Sequence, residues 1–179
     1  IRQTGGDGAG PGKPTATAPV SAERPQGSGQ TAVGTSPAEA FIAKSKALRD
    51  KIKARATLGY PLKYTNDLTE TAHGQQLEAD LASAPDLAAR QGIADQFVLT
   101  NGKKRKIEHF VALGKDGEFL SLLVGKKDGI EFSDQIELAA KDGLIGYTVH
   151  NHPSDRGLST PDIRSLFSGY GPIIVVGHG

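Results

Sequence analysis

The first 35 residues restrict where this chain can fold. They hold eight of the 23 glycines and four of the ten prolines, and they contain no aromatic residue. Such a segment buries too little apolar surface to offset the conformational entropy that is lost on ordering. We therefore predict a disordered Gly/Pro-rich linker at 1–35. The remaining residues, 36–179, are enough for one domain with its own hydrophobic core.

Composition and charge exclude several classes of protein. The 21 basic and 20 acidic residues give a net charge of +1, so no overall attraction to nucleic acid or anionic lipid is expected. No apolar run is long enough to span a bilayer, and no secretory signal is present. The chain has no cysteine, so any metal would be held by nitrogen and oxygen ligands. We expect a soluble protein, either cytoplasmic or a secreted effector.

Residues 36–96 have the pattern of a helical N-terminal extension. Ser36-Pro37-Ala38-Glu39 is a capping box, and it predicts a helix over 37–58. Residues 76–91 predict one or two further short helices, interrupted near Pro85. The polar face of the first helix is rich in cations, which we interpret as a solvated surface, so nucleic acid is an unlikely partner. These cations are Lys44, Lys46, Arg49, Lys51, Lys53 and Arg55.

From residue 97 onwards the pattern changes to short apolar runs separated by turns. The sequence predicts a strand at Phe97-Val98-Leu99, a tight turn at Asn101-Gly102 and a second strand from Ile107 to Leu113. Gly114 to Gly117 predicts a second turn, and Phe119 to Val124 a third strand. This part of the chain therefore predicts antiparallel hairpins.

The last part of the chain alternates helices and strands. Ser133 or Asp134 can cap a helix that runs to Ala140, and Leu144 to Val149 predicts a strand. Thr160-Pro161-Asp162 opens another helix, and Ile173 to Val176 predicts a last buried strand. We expect an α/β or α+β domain at 97–179, in which helices flank a mixed sheet.

Two histidines and an aspartate near the end of the chain suggest a metal site. His150 and His152 lie at positions i and i+2, so an extended strand would point both imidazoles to one side. Asp162 follows in the first turn of the next helix, after a loop that can fold back over the strand end. Catalytic zinc takes three such ligands and keeps a fourth position for water. The alternative is that the histidines only end a strand and Asp162 stabilises a helix start.

These residues resemble a known family. The sequence is similar to the metal motif of the JAMM (MPN-type) metalloproteases in two segments, His150-Asn151-His152-Pro153-Ser154 and Leu158-Ser159-Thr160-Pro161-Asp162-Ile163. The first segment is close to the bacterial RadC-like branch of the family. The resemblance implies a cytidine deaminase-like core that binds zinc through His150, His152 and Asp162. It further implies that Ser159 assists the tetrahedral intermediate and that an upstream glutamate activates the water. The implied substrate is a peptide or protein, with ubiquitin-like proteins as one candidate.

The chain also departs from the family pattern. Six residues separate His152 from Ser159, one fewer than is usual in the family, whereas the spacing from Ser159 to Asp162 is kept. Domains of the family commonly continue beyond the point that corresponds to Ile173–Val176, so we expect terminal strands to be missing or replaced. The resemblance covers 97–179, and residues 1–96 match no family pattern. The linker and the absence of methionine lead us to expect part of a larger polypeptide.

Four upstream glutamates are candidates for the general base. Glu118 and Glu131 follow glycine turns, where solvent-facing carboxylates are common, and Glu137 falls on the surface of a predicted helix. Glu108 begins the apolar strand Ile107 to Leu113, where an acid is costly to bury without a task. Its place in the first core strand also resembles the family's catalytic position. We choose Glu108.

The leading hypothesis is a zinc-dependent metallopeptidase or isopeptidase. One alternative is a RadC-like domain linked to DNA metabolism, for which Lys103 to Lys106 form the basic run. Another is a non-catalytic interaction module of the MPN type, although the joint presence of His150, His152, Ser159 and Asp162 disfavours it. A third is a toxin or effector module of a larger bacterial or phage polypeptide.

Overall fold

A computed structural model describes residues 34–56, 66–127, 129–153, 157–166 and 168–177. These residues belong to one compact unit that spans 34–179. The predicted linker therefore lies outside the described residues, apart from positions 34 and 35. The helices and strands are, in chain order, α1 (Pro37–Ala56), α2 (Ala72–Ser83), α3 (Leu87–Arg105), β1 (His109–Gly114), β2 (Phe119–Val124), α4 (Asp134–Lys141), β3 (Ile145–His152), α5 (Thr160–Leu166) and β4 (Ile173–Gly177).

The four strands form one mixed sheet with the order β2-β1-β3-β4. β1 is antiparallel to both β2 and β3, and β3 is parallel to β4. The β1–β2 hairpin has the predicted turn, in which Gly117 adopts a φ of 83° and its N–H donates to the carbonyl of Gly114. The predicted mixed α/β architecture is confirmed, and β3 lies at the centre of the sheet beside β1.

Both faces of the sheet are covered by helices. On one face, Val111, Leu122 and Val149 pack with residues of α2 and α3, including Leu77 and Val98. The opposite face packs against α4 and part of α1, through a cluster that includes Phe110, Ala112, Ile136, Ala139 and Ile52. The alternation of side chains along β1 and β3 sends neighbouring residues into these two separate cores.

Capping side chains begin the helices, as the sequence predicts. The capping box of α1 is present, with Ser36 N–H donating to Glu39 at 2.8 Å and Glu39 N–H donating to the Ser36 hydroxyl at 3.2 Å. The interruption near Pro85 separates α2 from α3, and the Asp86 carboxylate accepts from Ala89 N–H at 2.8 Å. Ser133, not Asp134, caps α4. The predicted end of α1 at residue 58 lies outside the described residues.

The strand and turn predicted at 97–102 are wrong, because these residues belong to α3. The helix buries Ala94, Val98 and Gly102, which are spaced four residues apart and form a stripe against the sheet. Residues 96 and 97, on either side of the predicted domain boundary, are therefore consecutive residues of one helix. Helices α2 and α3 share a hydrophobic core with the sheet. Residues 97–179 are therefore part of the one compact unit that spans 34–179.

Three strands also differ from their prediction. β1 begins at His109, two residues later than expected, so Glu108 immediately precedes the strand. β3 continues beyond Val149 to His152, so both histidines belong to a regular strand. β4 forms at the predicted place but is only partly buried, and Ile174 is 39% exposed. The reason is that β4 lies at the edge of the sheet, where β3 is its one neighbour among the described strands.

The cationic face of α1 is largely paired within the chain. Of its six basic residues, Lys44, Lys46, Arg49, Lys53 and Arg55 form ion pairs with acidic side chains of this chain. Arg49 is buried, and its guanidinium reaches Glu78 of α2 at 2.7 Å. The Arg49 pair links α1 to α2 and the Lys44 pair links it to the β1–β2 turn, whereas the Lys46 pair lies within α1 itself. Among the described residues, none of the helices is both long and apolar enough to cross a membrane.

Candidate metal centre

Strand β3 places His150 and His152 on one face of the sheet. Both side chains are buried, and their Nε2 atoms lie 3.0 Å apart. His150 pairs in register with Phe110 of β1, and β4 flanks the other side of β3. Because both neighbours are regular strands, the two imidazoles are held at the fixed spacing of alternate strand residues. The same-side orientation predicted from the sequence is confirmed.

Asp162 reaches this pair from the first turn of α5. Its Oδ1 lies 3.2 Å from His150 Nε2, and its Oδ2 lies 3.4 Å from His152 Nε2. Ser159 N–H donates to Oδ2 at 2.6 Å, and Asp162 N–H donates in return to the Ser159 hydroxyl at 3.3 Å. These reciprocal hydrogen bonds form a helix cap, and the cap orients the Asp162 carboxylate toward the histidines.

The three side chains could hold a metal ion. One ligand atom from each of His150, His152 and Asp162 lies within 4.8 Å of the other two. Tetrahedral zinc with ligands at about 2.0–2.1 Å requires ligand atoms about 3.3 Å apart. The two Nε2 atoms lie 3.0 Å apart, and His150 and His152 lie 3.2 and 3.4 Å from Oδ1 and Oδ2 of Asp162, respectively, so each contact is close to this distance. Two imidazoles and one carboxylate are also a donor set that suits zinc.

Burial favours the protonation state that binds a metal. It lowers the pKa of His150 to about 4, while the Asp162 carboxylate acts in the opposite direction and the neighbouring His152 adds to the lowering. His150 is therefore neutral at neutral pH, and neutral imidazole is the form that coordinates metal ions.

Glu108 lines the same cleft as these three residues. It immediately precedes β1 and is 8% exposed. Its N–H donates to the carbonyl of Lys126 at 3.0 Å, and its carbonyl accepts from Gly125 N–H at 2.8 Å. The backbone is thus fixed by a short extension of the β1–β2 ladder, and the side chain opens into the cleft beside His150, His152, Ser159 and Asp162.

The other three candidate glutamates lie elsewhere. Glu118 is buried at the β1–β2 turn, where it pairs with Lys44 at 2.8 Å and accepts from Asp116 N–H at 3.0 Å. Its expected solvent-facing position is therefore wrong, because the turn packs against α1. Glu131 and Glu137 are exposed, as expected, and neither lines the cleft. Of the four, Glu108 alone lines the cleft that contains the histidines.

The cleft has a volume of about 580 Å³, within the usual range for ligand sites. Part of the cleft lining is apolar and forms a wall, and the exposed Lys127 also lines the cleft. Phe132 stacks between Phe110 and Tyr170, with ring centroids 4.9 and 4.8 Å away, which stiffens this wall. The apolar wall consists of Phe110, Ile130, Phe132, Leu158 and Pro161. Sequence reasoning did not predict that these residues form one wall, because they come from three separate segments of the chain.

The lining of the cleft combines three side chains that could hold a metal ion, a buried carboxylate and a hydroxyl. Such a set can bind a metal ion, accept a proton and donate a hydrogen bond to a substrate. A comparison of the chain with known proteins finds no matching family model, no matching curated protein and no matching solved structure.

Proposed function

We propose that this protein is a zinc-dependent metallopeptidase or isopeptidase of the JAMM type. The observation that carries the proposal is the convergence of one ligand atom from each of three side chains, within 4.8 Å of one another, in a cleft that Glu108 also lines. A purely structural role for Asp162 accounts for its bonds to Ser159. It does not account for two buried imidazoles whose Nε2 atoms converge on the same carboxylate.

The proposed ligands are His150, His152 and Asp162, with a catalytic metal open to water. When bound there, zinc would supply Lewis-acid activation of water and of the substrate carbonyl. Glu108 takes the proton that the attacking water loses and delivers it to the amide nitrogen as the C–N bond breaks. The products are one carboxylic acid and one amine, so atoms and protons balance.

Ser159 has a hydroxyl hydrogen that suits a second role. Its oxygen accepts the bond from Asp162 N–H, which leaves its own hydrogen to be donated elsewhere. In the proposed mechanism this hydrogen stabilises the oxyanion that develops on the attacked carbonyl. The apolar wall of the cleft is suited to packing against apolar side chains next to the scissile amide, and a cleft of this size accepts an extended peptide segment.

The test is a matched pair of glutamate substitutions in the zinc-loaded protein. The probes are a proteome-derived peptide library and a linked ubiquitin dimer, with new amino termini identified by mass spectrometry. Glu108→Gln should lower hydrolysis by about 100-fold or more, because an amide cannot accept the proton from water. Zinc content and melting temperature should stay at the wild-type values.

The control is Glu137→Gln on the exposed side of α4, which should hydrolyse the same probes at the wild-type rate. Hydrolysis at the wild-type rate by the Glu108→Gln variant would remove Glu108 from the mechanism. A wild-type protein that holds zinc and yet cleaves none of the probes would count against the proposed activity.

A further inference from the structure

Asn151 lies between the two histidines, but its side chain points to the other face of the sheet. Alternation along β3 directs His150 and His152 toward the cleft and Asn151 toward α3. The residue is fully buried. A polar side chain buried on the helix-covered face is costly unless its amide is satisfied, so its partners matter.

Two hydrogen-bond partners of Asn151 are the residues on either side of Glu108. Asn151 Oδ1 accepts from His109 N–H at 2.8 Å, and Asn151 Nδ2 donates to the carbonyl of Ile107 at 3.1 Å. The paired register of β1 and β3 begins only at Phe110 and His150, so the side chain continues the connection where the strand pairing stops. Glu108 itself is bonded on its other side to Lys126 and Gly125.

We infer that Asn151 is a positioning residue that sets the place of Glu108 relative to the metal ligands. Strand β3 carries both the candidate ligands and the contact to Glu108. Its two histidines point into the cleft, and Asn151 between them bonds to the backbone on either side of Glu108. A shift of the two histidines is therefore transmitted to the Glu108 carboxylate, and a shift of this carboxylate to the histidines. The inference rests on the proposed role of Glu108 as general base.

The chemistry of the contact requires an amide. One end of the side chain must accept from an N–H and the other must donate to a carbonyl, and asparagine provides both groups in one plane. Aspartate would place a carboxylate oxygen against the carbonyl of Ile107, without a hydrogen to share. The segment 107–109 would then lose one of its links and gain a repulsion.

Gly102 of α3 supports the same contact from the opposite side. A Cβ at this position would lie 2.2 Å from Asn151 Nδ2 and 2.3 Å from its Cγ, so no other residue fits while the amide stays in place. Gly92, ten residues earlier in the same helix, has nothing within 4 Å of the corresponding Cβ position. Alanine has a higher helix propensity than glycine at both sites, so the two substitutions differ mainly in what the new methyl group meets.

This pair gives the experiment. Gly102→Ala and Gly92→Ala are compared in the zinc-loaded full chain, together with Asn151→Asp, which adds no volume. Gly102→Ala and Asn151→Asp should lower kcat by about 10-fold to 100-fold, with KM changed less than about twofold and with zinc content unchanged. Gly92→Ala should match the wild type. The substrate is a peptide that the wild type cleaves in the library described above.

Two further readouts separate positioning from general damage. Hydrogen exchange at the His109 amide should accelerate in the Gly102→Ala variant, because the added methyl group displaces the Asn151 oxygen that accepts this N–H. In the Glu108→Gln background, Gly102→Ala should cause little further loss of the residual rate. A wild-type kcat in Gly102→Ala, or an equal fold-loss with and without Glu108, would overturn the inference.

The outcome is distinguishable from failure of the proposed function. If the wild type cleaves no probe, the proposed function fails, and the position of Glu108 is then read directly from crystal structures of the variants. Its carboxylate should be displaced in Gly102→Ala and unchanged in Gly92→Ala, and an unmoved carboxylate would contradict the inference. If Gly102→Ala does not fold, Asn151→Asp gives the same comparison against the wild type.

Discussion

At the scale of single residues, the candidate site depends on groups that do two things at once. Asp162 is both a ligand candidate and one half of a helix cap, and Ser159 is the other half. The bond from Ser159 to Asp162 Oδ2 uses the backbone N–H, which every residue except proline provides. The hydroxyl of Ser159 can therefore be removed while the carboxylate keeps its main orienting bond.

The Ser159→Ala variant should retain its zinc and lose most of its turnover. The hydroxyl is needed for the developing oxyanion, and its loss should lower kcat by about 100-fold. The weakened cap costs about 1 kcal/mol of stability. Zinc analysis, turnover and a melting curve measure the three effects separately. Ser159→Thr keeps a hydroxyl and serves as the control, and loss of zinc from Ser159→Ala would instead make this residue part of the metal site.

The pH dependence of stability is set in part by His150. Burial lowers its pKa to about 4 in the folded protein, from about 6.5 when unfolded, so between these values the unfolded state binds more protons. The contribution of His150 is therefore fully present above pH 6.5 and is lost as the pH falls toward 4. His109, whose pKa burial also lowers to about 4, acts with the same sign.

The metal-free protein should thus lose stability steeply between pH 6.5 and 4. Replacing His150 with Gln should flatten the curve by up to about 1.4 kcal/mol per pH unit. Urea unfolding of chelated protein at several pH values measures both slopes. Parallel curves for the wild type and His150→Gln would show that His150 titrates normally.

At the scale of elements, local signals predicted most of the fold. Capping residues correctly indicated the starts of α1 and α4, Pro85 indicated the break before α3, and glycines indicated the β1–β2 turn. Helix α3 was mistaken at its second half, because Phe97-Val98-Leu99 favours strands and Asn101-Gly102 favours a turn. The presence of Gly102 is explained by close contact with Asn151, which is 49 residues away and invisible to local propensity.

The residues of the candidate site also differ in whether the local sequence was enough to predict them. The two histidines and Asp162 fall within 13 residues, so strand alternation and the helix start were enough to bring them together, whereas Ser159 was added by the resemblance. Glu108 was chosen partly by resemblance, and its place in the cleft depends on the pairing of β1 with β3. Asn151 stands inside the motif but received no role, although its position between i and i+2 already assigns it to the opposite face.

The junction of α1 and α2 contains a buried ion pair that stability measurements can test. Arg49 bonds to Glu78 at 2.7 Å and to the carbonyl of Phe119 at 2.8 Å. Arg49→Met would leave the Glu78 carboxylate buried without its cation, and we expect a loss of about 3–5 kcal/mol in the free energy of unfolding. The double variant with Glu78→Leu should recover much of this loss.

Lys51→Met on the exposed side of the same helix is the matched control, with an expected change within about 0.5 kcal/mol. Urea titration followed by circular dichroism gives all three values. A loss in Arg49→Met no larger than that in Lys51→Met would show that the pair does not hold the two helices together.

At the scale of the whole molecule, both faces of the sheet contribute to one site. The cleft face carries the ligand candidates, Glu108 and the apolar wall. The opposite face carries Asn151, which contacts Gly102 in the second half of α3. The predicted extension at 36–96 contains the first half of this helix and shares a hydrophobic core with the sheet, so it belongs to the same unit as the candidate site.

The most direct measurement of the central claim is the metal content of the purified protein. We predict about one zinc per chain in the wild type and in Asp80→Ala, whose carboxylate is exposed on α2. His150→Ala and Asp162→Ala should each lose it, because a three-ligand site rarely survives with two. Chelation should also lower the melting temperature of the wild type, since the metal binds the folded state. Equal zinc in all four proteins, or none in the wild type, would contradict the metal site proposed here.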